Sequence, residues 1–217
     1  MKLKNSKVGE FVPVTSKLGL YYGGYQNALG DVGVSKFYRD RSCVVTAFTN
    51  SYLYMYHPDE KFTLEEYNKY HYDFYKRIRP HINGVPTVEA LNRRVNRIRR
   101  DRNLNLYAHI MQEFFVRRHS TEEKIAFINQ GLSKNCPVIF INWMSRNVKV
   151  LAHHGVTITE CNDMGDYHEL VISSWGRVYK VNFEIFDRQM KSYSGLIYFE
   201  RNDYEIHQSW SFRTSRW

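Results

Sequence analysis

The segment His153 to Gly176 has the pattern of a β-hairpin, and it constrains the fold more than any other part of the sequence. Two runs of alternating, β-branched residues flank a polar turn that contains glycine, CNDMGD. Because side chains alternate between the faces of a strand, the apolar residues of both runs can share one face: Val156, Ile158, Leu170 and Ile172. The sequence therefore predicts two antiparallel strands with one buried face.

A register follows from placing these apolar residues opposite each other. It predicts four cross-strand pairs: Val156–Ile172, Ile158–Leu170, His154–Ser174 and Glu160–His168. His154 then lies beside Ser174 and next to Trp175. A histidine held by a polar neighbour is typical of the base and its orienting group in a nucleophilic site.

A cysteine far from the hairpin is the candidate nucleophile. The chain has three cysteines and no CxxC motif, which favours free thiols over a disulfide framework. Cys43 directly precedes a run from Val44 to Tyr56 with helical spacing of apolar residues. At a helix N-terminus, the macrodipole and free N–H groups should lower the thiol pKa. Cys136 and Cys161, in a predicted strand and turn, are interpreted as structural; a buried, inert thiol is the alternative for Cys43 as well.

The remaining elements predict an α+β fold. Four helices are expected, at 44–56, 63–77, 87–100 and 121–132. Thr63 and Glu66 have capping-box spacing, Thr121 is the expected cap of the last helix, and Lys124 is expected to face solvent. Strands dominate from Asn135 onward. The sequence therefore predicts a single domain, residues 1–217, with a mainly helical lobe at 1–134 and an antiparallel β-sheet lobe at 135–217.

Composition excludes several classes of protein. Hydrophobic residues make up 43% of the 217 residues, which supports a real core. No apolar run reaches the roughly 18 residues of a transmembrane helix. The N-terminus lacks the apolar centre of a signal peptide, so a cytoplasmic location is expected by default, with export by another route left open. We find no HExxH, Cys/His ligand spacing or glycine-rich phosphate loop, so no metal or cofactor is predicted.

The net charge of +9 favours anionic partners. Basic residues crowd the polar faces of the predicted third helix: Arg93, Arg94, Arg97, Arg99, Arg100 and Arg102. This face predicts either a solvated helix surface or a contact with phosphate groups, as in nucleic acid. A non-catalytic binding protein is therefore the alternative function class. The sequence does not indicate an oligomeric state.

Cys43 before a helix, His154 at a later strand and Ser173–Gly176 at the end of the next strand occur in an order that resembles the papain-like cysteine peptidase superfamily. The short chain and the segment Cys136–Ile139 resemble the bacteriocin-leader-peptidase-like branch most. The segments Tyr22–Asn27, Arg41–Cys43 and Ser174–Gly176 are also similar to uncharacterised proteins of clostridial-type bacteria. The resemblance covers roughly residues 12–200. It implies a papain-like two-lobed fold and hydrolysis of peptide or amide bonds, or acyl transfer.

The resemblance also implies roles for individual residues. Cys43 would attack the carbonyl carbon as a thiolate, and His154 would accept and return the proton. His168 is the alternative base, because it gives a shorter spacing to the Ser-Trp-Gly segment, and His153 is a third candidate.

Two of the implied roles fall on residues that differ from the family pattern. The family uses Asn or Asp to orient the histidine; alignment on Ser-Trp-Gly places that role at Ser173, whereas strand parity favours Ser174. The family's oxyanion glutamine would fall at position 37, which is Phe37 here. Gln26 is the substitute candidate, together with the backbone N–H of Cys43.

Overall fold

The computed structural model describes residues 1–143, 148–189 and 191–201, and it has the α+β architecture that the sequence predicts. The strands are β1 (Pro13–Ser16), β2 (Gly19–Tyr22), β3 (Phe62–Thr63), β4 (Leu106–Phe114), β5 (Val138–Trp143), β6 (His154–Asp163), β7 (His168–Ser174), β8 (Arg177–Asn182) and β9 (Tyr193–Arg201). The α-helices are α1 (Lys36–Arg39), α2 (Cys43–Tyr56), α3 (Leu64–Ile78), α4 (Val88–Arg102), α5 (Thr121–Ser133) and α6 (Phe183–Asp187). Two 3₁₀ helices cover Gln26–Val32 and Lys149–Leu151. The end of the predicted β-sheet lobe, 202–217, lies outside the described residues.

The described strands form two sheets. A six-stranded antiparallel sheet has the order β4-β9-β5-β6-β7-β8, and a smaller sheet has the order β2-β1-β3. β4 comes from the segment 1–134, which the sequence predicts to be mainly helical, yet it forms one edge of the large sheet. The large sheet therefore takes strands from both parts of the chain. Among the described residues, no helix combines the length and the apolar character needed to cross a bilayer.

Helix α2 is the buried centre of the fold. Every residue from Val44 to Tyr54 is buried, because the helix packs against β5 and β6 of the large sheet and against α3. The helix ends at His57, just before Pro58, which could not continue its hydrogen-bond ladder. The predicted start at Cys43 is confirmed.

The caps of two helices explain where they begin. Thr63 precedes α3 and accepts a hydrogen bond from the backbone N–H of Glu66 at 3.2 Å, which confirms the predicted capping box. The prediction of Thr121 as the cap of α5 is wrong by one residue. Ser120 holds that position and accepts from the N–H of Glu123 at 3.1 Å.

The hairpin forms, but its predicted register is wrong. Ile158 lies opposite Ile172 rather than Leu170, and His168 lies opposite Asp163 rather than Glu160. The strands extend into the predicted turn, because the left-handed backbone of Gly165 (φ 88°) allows a tighter connection. A bulge between Ile158 and Glu160 then adds one residue to β6. Consequently Cys161, predicted in the turn, is a buried residue of the strand.

The prediction that Lys124 faces solvent is also wrong, since only 4% of this residue is exposed. Its Nζ lies 2.8 Å from Glu113 Oε2 and 2.6 Å from Asp187 Oδ1. Lys191 Nζ contacts the same Asp187 oxygen at 3.0 Å. These four buried charges link β4, α5, α6 and the segment before β9. Helical periodicity alone cannot reveal them, because the carboxylates come from distant parts of the chain.

Candidate active site

A glycine brings the start of α2 against the start of β6. A Cβ atom built on Gly155 would lie 2.6 Å from Val44 Cγ2 and 3.3 Å from the Val44 backbone nitrogen. Only a residue without a side chain permits this approach. As a result the first residue of the helix, Cys43, and the first residue of the strand, His154, line the same cavities.

His154 is held from two sides. Its Nε2 lies 2.7 Å from Ser174 Oγ, so the predicted His–Ser contact is present although the two residues are not directly opposed in the sheet. The Trp175 ring stacks on the imidazole with 4.5 Å between ring centroids and 22° between planes. Both contacts fix the orientation of the ring, and His154 is only 8% exposed.

Strained backbone flanks this pair of residues. His153 (φ 46°) and Trp175 (φ 48°) both adopt the left-handed conformation, which non-glycine residues rarely occupy. They directly adjoin His154 and Ser174 in sequence. For Trp175 the reason is local, because Trp175 and Gly176 (φ 72°) form the two-residue turn between β7 and β8.

Burial decides the protonation states of the two reactive groups. It lowers the pKa of His154 to about 4, so the imidazole is neutral at pH 7. Burial also raises the pKa of the Cys43 thiol, and the N–H groups of Gly155 and Val44, which act in the opposite direction, do not outweigh it. The pKa of the Cys43 thiol is therefore raised, whereas the helix macrodipole predicts a lowered one. The two groups that line these cavities are therefore a neutral thiol and a neutral imidazole at rest.

The glycine-rich segment before the first 3₁₀ helix is fixed against α2. The N–H of Gly24 donates to Asn50 Oδ1 at 2.9 Å, and Tyr67 Oη donates to the same oxygen at 2.9 Å. A Cβ on Gly24 would lie 2.0 Å from the Tyr67 ring, so only glycine fits there. The segment leads directly to Gln26, which is thereby placed at a cavity shared with Cys43.

Two cavities meet at Cys43, His154 and Gly155. The larger is a cleft of about 310 Å³. Its other lining residues are Asp40, Arg41, Val44, Ile82, Asn83, Gly84, Val85, Ile141, Trp143 and His153. The smaller has a volume of about 10 Å³, and its other lining residues are Gly24, Gln26, Thr46, Ala47, Asn50, Ser173, Ser174 and Trp175. The thiol and the imidazole thus lie between a cleft that can hold a substrate and a pocket the size of one oxygen atom.

The two serine candidates have different hydrogen-bond partners. Ser173 Oγ donates to the backbone carbonyl of Tyr22 at 2.6 Å, and it anchors the loop that precedes Gln26. Ser174 Oγ contacts the imidazole of His154. Strand parity, rather than alignment on Ser-Trp-Gly, therefore identified the serine that touches the histidine.

The rival histidines have other surroundings. His168 Nδ1 lies 2.7 Å from Glu184 Oε1, and this residue lines a different cavity, between α5 and α6. His153 lines the cleft, and its ring packs edge-on against Trp143 at 5.9 Å between centroids. Of the candidates, His154 is the one that contacts Ser174.

The other cysteines lie in the interior, as the sequence predicts for Cys136 but not for Cys161, which was expected in a turn. Cys136 and Cys161 are free thiols, and both are buried. Burial raises the pKa of each to about 11. Burial raises the pKa of Cys43 as well, but Cys43 differs from the other two because it lines the cleft.

Sequence reasoning missed the residues that position the site: Gly155, Asn50 and Tyr67. A signal for Gly155 was present, since a glycine inside a strand pattern often marks a close approach of two backbones. Asn50 and Tyr67 lie within helices, where nothing local distinguishes them from other core residues.

A metal-dependent alternative finds no support in the described ranges 1–143, 148–189 and 191–201. There, no cluster of three or more His, Cys, Asp or Glu side chains could hold a metal ion. No protein-family model matches the sequence, and no curated protein matches it significantly.

Proposed function

We propose that this protein is a thiol-dependent hydrolase or acyl transferase that acts on peptide or amide bonds, on a papain-like two-lobed scaffold. One observation carries the proposal. Cys43 at the start of the buried helix and His154, bound to Ser174 at 2.7 Å, line the same cleft, although more than a hundred residues separate them in sequence. A nucleophile, a base and an orienting group in one cleft fit acyl-transfer chemistry.

The first step forms a tetrahedral intermediate bonded to Cys43. The sulfur of Cys43 attacks the substrate carbonyl carbon while its proton passes to His154. Because Nε2 of the ring is engaged with Ser174, Nδ1 is the nitrogen that accepts this proton. The carbonyl oxygen becomes an oxyanion, and the side-chain amide of Gln26 and the backbone N–H of Cys43 are its candidate donors in the small cavity.

The second step releases the product. The tetrahedral intermediate collapses, the carbon–nitrogen bond breaks, and His154 gives its proton to the leaving amine. Water then attacks the thioester with His154 as the base, which regenerates the thiol and releases a carboxylic acid. If an amine attacks instead of water, the same site transfers the acyl group.

The hydroxyl of Ser174 orients the imidazole but carries no charge, so it stabilises the imidazolium less than a carboxylate would. Trp175, stacked on the ring, keeps water from the His154–Ser174 hydrogen bond. The free state of Cys43, Cys136 and Cys161 favours action in a reducing compartment, and we propose the cytoplasm.

The test is the rate at which iodoacetamide alkylates Cys43, followed by peptide mass spectrometry at pH 7.5. We expect His154→Gln to slow alkylation at least tenfold, because the thiol loses its base. Ser174→Ala should slow it about two- to tenfold, as expected for the loss of one hydrogen bond of about 0.5–1.5 kcal/mol.

His168→Gln is the matched control, since its ring contacts Glu184 at a different cavity, and it should leave the rate unchanged. Equal alkylation rates in the wild type and His154→Gln would remove the basis for catalysis. A screen of the wild type and Cys43→Ala for cleavage of a peptide library then identifies the scissile bond.

A further inference from the structure

The arginines of the α4 region fall into two sets. Those of the inner set are already engaged. Arg102 and Arg77 both pair with Asp73, and Arg99 donates to a backbone carbonyl of β4 at 2.9 Å. These residues fasten α4 to α3 and to the sheet, so they are not free for a partner.

The outer set forms an exposed row on one face of α4. We call Arg93, Arg97 and Arg100 the arginine stripe, because the spacing of four and three residues places them along one side of the helix. All three are exposed, and none forms an ion pair with a carboxylate in the part of the chain that the structure describes. Burial and the charges of Arg93 and Arg97 lower the pKa of the neighbouring Arg94. The stripe is therefore a concentrated positive surface, and the two acidic residues of α4, Glu89 and Asp101, are engaged with Gln112 and Arg77 instead.

An apolar turn protrudes from the end of β4. We call Phe114, Phe115 and Val116 the apolar tip; they are 48%, 58% and 90% exposed. Two backbone hydrogen bonds between Phe114 and Arg117, of 3.1 and 3.0 Å, close the turn. Three consecutive exposed apolar residues on an ordered turn are unusual for a surface that only water contacts.

One hydrogen bond joins the helix that carries the stripe to the strand that ends in the tip. Gln112 Nε2 donates to Glu89 Oε1 at 2.7 Å, and Glu89 lies one turn before Arg93 on the same side of α4. Gln112 and Phe114 share one face of β4, because side chains alternate along a strand. The polar contact between Gln112 and Glu89 thus connects the basic row to the apolar turn.

We propose that this combined surface binds the face of an anionic lipid bilayer. Phe115 and Val116 would enter the interfacial region, and the arginine stripe with Arg117 would contact lipid phosphate and carboxylate groups. A nucleic acid would account for the arginines, but it offers no apolar environment for the aliphatic side chain of Val116. The surface is separate from the cleft at Cys43, so this inference does not depend on the proposed chemistry.

The experiment is co-sedimentation of the full chain with two kinds of vesicle. One contains phosphatidylcholine alone, and the other contains phosphatidylcholine with phosphatidylserine. The wild type should bind the anionic vesicles in a salt-dependent manner. Phe115→Ser/Val116→Ser and Arg93→Gln/Arg97→Gln/Arg100→Gln should each weaken binding about tenfold or more. Leu18→Ser is the matched control, because Leu18 is 88% exposed on a different turn, and it should bind as the wild type does.

Three outcomes would overturn the inference. They are no binding to anionic vesicles, binding that the change at the apolar tip leaves intact, and binding to a DNA oligonucleotide without binding to vesicles. The last outcome would identify nucleic acid as the partner instead. Thermal unfolding of each variant must match that of the wild type, so that lost binding is not lost folding.

Discussion

At the scale of single residues, the structure buries two histidines in different surroundings. His154 borders the cleft, where a neutral imidazole is an available base. His71 lies in the core with Nε2 at 3.0 Å from Thr46 Oγ1, and burial lowers its pKa to about 3. Thr46 also lines the small cavity beside Cys43, so His71 supports the wall of that cavity from behind.

These histidines make the stability depend on pH. Their pKa is 6.5 when unfolded and about 4 for His154 or 3 for His71 when folded, so between those values the unfolded chain binds more protons. The free energy of unfolding should therefore fall as the pH drops from 6.5 to 4, by about 1.4 kcal/mol per pH unit for each histidine. Urea unfolding at several pH values measures this slope.

The variant His71→Gln isolates the contribution of His71 to this pH dependence of the free energy of unfolding. It should reduce the slope by about 1.4 kcal/mol per pH unit, whatever it does to the stability at pH 7. An unchanged slope would mean that His71 is not kept neutral by the core.

At the scale of elements, the contact between the start of α2 and the start of β6 determines whether the site exists. Gly155→Ala introduces a methyl group 2.6 Å from Val44 Cγ2. We expect a loss of about 1–3 kcal/mol in the free energy of unfolding, and slower alkylation of Cys43, because the helix must move away from the strand. Chemical denaturation and the alkylation assay measure the two effects.

A double-mutant cycle tests whether the close approach to Val44 causes the effects of Gly155→Ala. Val44→Ala removes the Cγ2 atom that the new methyl group would meet, so Gly155→Ala should cost less in that background. Strictly additive effects of the two changes would show that the close approach is not the cause.

At the scale of the whole molecule, the buried charges around Lys124 connect β4, α5 and α6. Lys124→Met would leave Glu113 and Asp187 with Lys191 as the remaining cation of the cluster. We expect this change to cost about 3–5 kcal/mol in the free energy of unfolding, measured by urea denaturation, because it leaves an uncompensated buried carboxylate.

Removing the carboxylate of Glu113 as well should recover much of the lost free energy of unfolding. In Lys124→Met/Glu113→Gln, the Asp187–Lys191 pair stays balanced, so the double variant should be more stable than Lys124→Met alone. If both variants are equally unstable, Glu113 is not a charge partner of Lys124.

The sequence predicted those parts of the fold that local patterns encode. The apolar spacing after Cys43 identified α2, and the alternation in the hairpin placed His154 and Ser174 on one side of the sheet. The register failed at the tight turn near Gly165, which pairs Glu160 with Val171 rather than with His168. The bulge after Ile158 reverses only part of this shift, so Ile158 pairs with Ile172 rather than with Leu170, and neither feature has a unique sequence signal.

The candidate site could be proposed from the sequence where a residue type restricts its own chemistry, as for Cys43 and His154. It could not be predicted where the three-dimensional environment of a residue sets its pKa or its burial. The helix position of Cys43 predicted a lowered thiol pKa, but burial reverses the direction, and burial depends on elements packed from both halves of the chain. The prediction that Lys124 faces solvent is wrong for the same reason.

The small size of the cavity beside Gln26 limits the order of events. Its volume of about 10 Å³ is close to what one water molecule or one carbonyl oxygen needs. In the proposed mechanism, the thioester oxygen would fill this cavity, so a second nucleophile would arrive through the wide cleft after the departing amine has left it. Whether the proposed reaction makes an acid or a new amide would then depend on how well the cleft retains an incoming amine against the competing solvent.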